Sequence, residues 1–151
     1  MRQLVALLVL AVATVVAEPA DAGDMPLVVI VHPSRTDALG VPDLARIYLR
    51  TRRFWADGTP IVPLNREAGS TAREGFSRHV LGSDSAHWAG YWNDAYFNGS
   101  FPPPVLSSSA AVKRYVANEP EAIGYVDPAE VDDTVRVVLT LDGPGSNGPR
   151  R

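Results

Sequence analysis

The stretch Ile61-Val62-Pro63-Leu64-Asn65-Arg66-Glu67-Ala68-Gly69-Ser70-Thr71-Ala72-Arg73-Glu74-Gly75-Phe76 decides the fold. Ile61 to Leu64 is a short apolar run and reads as a strand, in which Pro63 is awkward at a central position because it cannot donate to a ladder. A Gly-Ser-Thr turn follows, and Thr71 to Leu81 reads as a helix with Phe76 and Val80 on one face. Strand, tight loop and helix in succession are the building unit of an α/β domain. The same alternation continues outward on both sides. Leu27 to His32 is a continuous apolar run ended by Pro33, as expected of a strand buried on both faces. Pro42-Asp43 opens a helix with Leu44, Ile47 and Tyr48 on one stripe, and Asp57-Gly58 marks a turn. Downstream, Asp84 is expected to cap a helix carrying Trp88, Tyr91, Trp92 and Ala95 on one face. Those aromatics, with Tyr96 and Phe97, are expected in the core, although their density also suits a partner surface. Pro102 to Pro104 interrupts the pattern, and Ser107 to Ser109 can cap a helix through Val112, Tyr115 and Val116. Ala122 to Val126 and Thr134 to Leu141 complete the strands. The expected fold is α/β, with a mixed or largely parallel sheet flanked by helices.

The chain has 151 residues, 46% of them hydrophobic, and a formal charge of −3. That balance excludes a disordered chain and suits one domain. The absence of cysteine excludes a disulfide scaffold, a thiolate metal site and a cysteine nucleophile together. The mildly acidic charge gives no footprint for nucleic acid. At the start, Arg2 and the uncharged run Leu4 to Ala17 have the form of a secretory signal peptide over residues 1–22, cut after Ala17 or Ala22. The run is shorter than the roughly 20 apolar residues a membrane span needs, and no later segment reaches that length. At the end, residues 143–151 offer nothing to bury and are expected to be disordered. The folded domain is therefore expected over residues 25–142, exported to the periplasm and without a membrane span in the mature chain.

One local signal carries chemistry. A helix start leaves N–H groups unpaired at the positive end of the macrodipole, which suits an anion. Ser70 and Thr71 can add hydroxyl donors, and Arg66 can add a bidentate one. The competing reading is structural: Thr71 followed by Glu74 has the form of a capping box, and Glu74 would repel an anion placed there. Both readings stay open on the residues alone. Ser70 lies outside any G-x-S-x-G elbow, so no catalytic nucleophile is expected. His32, His79 and His87 lack metal-ligand spacing and are read as surface or strand-end residues, so no metal or cofactor is expected. Arg46, Arg50, Arg52 and Arg53 are read as a solvated helix end.

The order of motifs resembles a known family. Leu44-Ala45-Arg46-Ile47-Tyr48-Leu49, then Trp55-Ala56-Asp57-Gly58-Thr59-Pro60-Ile61, then Arg66, Gly69, Ser70, Thr71 and Phe76, then Ala122-Ile123-Gly124-Tyr125-Val126 are similar to the phosphate-binding proteins of ABC importers. The similarity runs from Leu27 to about Leu141. It implies one lobe of a type II periplasmic binding fold, with Arg66, Ser70, Thr71 and neighbouring Gly69 as anion contacts. The family's loop usually reads Arg-x-x-x-Ser-Gly-Thr, whereas here Ser70 and Thr71 are adjacent and the glycine precedes them. The family's second lobe has no counterpart in the matched region. The resemblance thus implies a non-catalytic, exported protein that recognises phosphate or a similar oxyanion, with an ABC permease or a second copy of the chain as partner. The alternative is an envelope interaction module that kept the fold and lost the ligand.

Overall fold

The computed structural model describes residues 25–142. The expected signal peptide and terminal tail lie outside the described residues.

The central strand is β1 (Leu27–Val31), buried along its whole length. Its residues alternate between two cores, as the period of a strand requires. Leu27, Val29 and Val31 face α1 (Val41–Tyr48) and α2 (Thr71–Leu81). Val28 and Ile30 face α4 (Ser109–Asn118). Helices therefore cover both sides of one sheet, and this explains why β1 reads as an unbroken apolar run.

The sheet has the order β2-β5-β1-β6, with β2 at Val62–Pro63, β5 at Ala122–Val126 and β6 at Arg136–Leu141. It is mixed. β1 is antiparallel to both β5 and β6, and only β2 and β5 run parallel. The largely parallel alternative is thereby corrected, because a strand buried on both faces looks the same in either orientation. Pro63 is accommodated because β2 is an edge strand, where a missing N–H interrupts no inner ladder.

A second, two-stranded ladder decides the position of the candidate anion-binding residues. The chain leaves the main sheet after Leu64, whose N–H still bonds to Ile123 O at 2.8 Å. Asn65 N–H crosses instead to Pro104 O at 2.8 Å. There β3 (Asn65–Arg66) pairs in parallel with β4 (Val105–Leu106). Parallel strands exit at the same end, so α2 after β3 and α4 after β4 begin side by side.

The aromatic stripe departs from expectation. It belongs to α3 (Ala89–Phe97), which has no fully buried residue. Tyr96 is 59% exposed, Phe97 79% and neighbouring Phe101 61%. The helix rests on its surroundings through contacts such as Tyr91 Oη donating to Leu49 O at 2.6 Å. Asp84 caps the turn before it, accepting from His87 N–H at 2.9 Å, and not the helix itself. Among the described residues, no helix is long and apolar enough to cross a membrane.

Candidate functional site

Arg66, Ser70, Thr71 and Ala72 come together with Ser109, Asp127 and Met25 to Leu27 around a cavity of about 200 Å³. Two helix starts supply its polar wall. In α2 the first intrahelical bond runs from Glu74 N–H to Ser70 O at 3.0 Å, so the N–H groups of Thr71 and Ala72 precede it. In α4 the corresponding bond runs from Val112 N–H to Ser108 O, so those of Ser109 and Ala110 precede it. Both macrodipoles thus present their positive ends to one hollow.

The predicted residues have distinct positions within it. Arg66 is the charged centre, with a side chain only 12% exposed. Its Nη1 donates to Ser109 Oγ at 2.9 Å, and its Nε donates to Glu67 Oε2 at 3.3 Å. Thr71 stands exposed at the rim. Ser70, in contrast, is the N-cap of α2: its Oγ accepts from Arg73 N–H at 3.2 Å and donates to Glu67 O at 2.8 Å. Its hydroxyl is therefore engaged in local structure. Gly69 has φ +82°, a left-handed backbone that a side chain would strain, so it shapes the loop.

The Thr71–Glu74 capping box is corrected by the same geometry. With Ser70 as the cap, Glu74 lies one residue beyond the box position. Its carboxylate reaches across to accept from the Ser85 N–H at 3.1 Å and from the Ser85 hydroxyl, with Gly69 N–H at 3.4 Å. Burial pushes the Glu74 carboxyl up, but those Ser85 and Gly69 bonds, with Arg73 nearby, outweigh it and hold the group below its usual range. At Glu67, its own backbone N–H and then the Arg66 guanidinium keep the carboxyl low.

Sequence reasoning did not single out Ser109 or Asp127. Ser109 Oγ meets Arg66 and also accepts from Asp127 N–H at 3.2 Å, which ties the start of α4 to the end of β5. The only available signal was the Ser107 to Ser109 run, which points to a cap and says nothing of Arg66. Of the arginine cluster expected as a solvated helix end, Arg46 and Arg53 are exposed, whereas Arg50 and Arg52 are half-buried and bonded. Arg46 and Arg52 both pair with Asp43, while Arg50 donates to Ile61 O at 3.2 Å.

A family model described as a PBP superfamily domain matches residues 20–142. The chain belongs to the PBP superfamily. This PBP domain is also similar to solved structures. A Clostridium perfringens protein, provisionally assigned as a phosphate ABC transporter substrate-binding protein and solved with phosphate bound, superposes with a TM-score of 0.63 at 23% identity. The match covers 79% of this chain and 46% of that one. An ABC-type phosphate transport receptor from Vibrio cholerae gives a TM-score of 0.61 at 18% identity, covering 78% and 47%. PstS from Borrelia burgdorferi gives 0.56 at 14%, covering 78% and 50%. The PBP domain spans about half the length of these proteins. No curated protein matches it.

Proposed function

We propose that this PBP domain binds phosphate or a similar oxyanion without catalysis, as an exported component of ABC-type uptake. One observation carries the reading: a half-buried arginine and two helix starts converge on a single cavity. A tetrahedral anion there would meet the N–H groups of Thr71, Ala72 and Ser109, with Arg66 as the charge-assisted donor. Ser70 acts through the loop it caps, and Gly69 through its backbone. The phosphate-transport neighbours support the choice of oxyanion, and the family's solute-binding character supports the absence of catalysis. We place the partner surface, an ABC permease or a second copy of the chain, over the rim at Thr71.

Calorimetric titration with inorganic phosphate tests this reading. Wild type should bind, and Arg66→Ala should lose roughly 1.5–3 kcal/mol, the range for hydrogen bonds to a charged group. Equal affinity of both proteins would refute the site.

A second reading, an envelope interaction module, is favoured by α3. Its rings Tyr96 and Phe97 form an exposed edge-to-face cluster with neighbouring Phe101, the Tyr96–Phe101 centroids lying 5.4 Å apart. Absence of phosphate binding together with intact folding would support the module.

A further inference from the structure

The inference concerns how Arg66 is held, and it rests on the reading of the cavity as an oxyanion site. Where the chain crosses from one ladder to the other, main-chain groups lose regular partners and must find others. Side chains supply them. Tyr48 Oη donates to Leu64 O at 3.0 Å. Tyr125 Oη donates to Asn65 Oδ1 at 2.6 Å and accepts from Arg66 N–H at 3.1 Å. Arg73 Nη1 donates to Arg66 O at 2.7 Å. Both main-chain polar groups of Arg66 are thus clamped by side chains from different elements, β5 and α2.

The clamp is rigid. Tyr125 is fully buried, and its ring stacks on Phe76 with centroids 4.0 Å apart and planes 6° from parallel. Asn65, which receives the hydroxyl, is 7% exposed. A two-residue strand such as β3 has little ladder of its own to define its position. Without the clamp, its backbone could shift relative to the two helix starts. Guanidinium recognition depends on a fixed fork geometry, so such a shift weakens binding even when the guanidinium is retained.

We propose that Tyr125 and Arg73 are positioning residues of the oxyanion site, setting its affinity by fixing the backbone of Arg66 against the starts of α2 and α4. Neither needs to touch the ligand. Tyr125→Phe keeps the stacked ring and removes only the hydroxyl that joins Asn65 to Arg66. Arg73→Met removes the other jaw at a half-buried position and serves if Tyr125→Phe fails to fold.

The test is a double-mutant cycle with inorganic phosphate as the probe, read by calorimetry, alongside urea unfolding of the same proteins. In the wild-type background either variant should lower phosphate affinity about 5- to 30-fold, the factor equivalent to one or two kcal/mol. In the Arg66→Ala background the same substitutions should leave residual affinity unchanged, while their effect on the unfolding midpoint is equal in both backgrounds. A merely structural or long-range charge effect would persist in the Arg66→Ala background. Retention of affinity within twofold by the folded variants, or an equal loss in both backgrounds, overturns this inference alone. Wild type that does not bind phosphate overturns the oxyanion reading and this inference with it.

Discussion

A β-carbon built on Gly124 would stand 2.4 Å from Val112 Cγ1. β5 therefore carries a glycine at a point where α4 packs closely against the sheet, and this approach brings the start of α4 to the cavity. Gly124→Ala should destabilise the domain by about 1–3 kcal/mol, as overpacking does. Urea denaturation measures it. Val112→Ala combined with Gly124→Ala should be less destabilised than the sum of the two single changes, because the second substitution removes the clashing methyl.

Ser70, not Thr71, caps α2. Ser70→Ala should therefore reduce stability by about 1 kcal/mol. Thr71→Ala, at an exposed first-turn position, should stay within about 0.5 kcal/mol. Thermal unfolding of the two variants side by side checks the order.

Arg35 is 7% exposed and holds three parts of the chain together. It donates to Asp57 at 2.8 Å, Thr59 at 2.8 Å and Pro120 O at 2.6 Å, and lies 4.8 Å from the Trp55 ring centroid. Arg35→Met should lower stability by roughly 1.5–3 kcal/mol. Arg35→Lys should not rescue it, since an ammonium lacks the planar fork. Equal unfolding midpoints for wild type and Arg35→Met would contradict this role.

The strand-and-helix alternation was legible because burial imposes periodicity. Leu27 to Val31 and Ala122 to Val126 are apolar where both faces are covered, and Leu44, Ile47 and Tyr48 recur at helical spacing. Strand direction was not legible, since apolar content is indifferent to it. β3 and β4 have two residues each, too few to show any period. The candidate site was legible only on one side. Arg66 and Thr71 lie in one continuous segment, whereas Ser109 reaches Arg66 across 43 residues of chain. The α3 stripe misled because aromatic spacing reports a shared face without reporting what covers it.

Stability at low pH should depend on Asp132. Lys113 beside it, and then the Thr134 hydroxyl and N–H, hold its carboxyl down at about 2 against an ordinary 3.8. A carboxyl lowered by folding contributes stability that is present above its unfolded value and is lost as pH falls through the folded one. Wild type should thus lose this contribution progressively from about pH 4 towards pH 2. Asp132→Asn should show a shallower decline across that window when unfolding midpoints are followed against pH. Parallel curves would contradict the assignment.

On the proposed function, an oxyanion sits between the starts of α2 and α4 on Arg66. Amide chemical shifts followed by ¹⁵N NMR during titration with inorganic phosphate test it most directly. Saturable shifts are expected at Thr71, Ala72 and Ser109, displaced to roughly 10- to 150-fold higher phosphate concentration in Arg66→Ala. Unmoved amides at these three positions, or saturable shifts confined to the separate groove at His32, Ala110, Lys113 and Arg114, would contradict it.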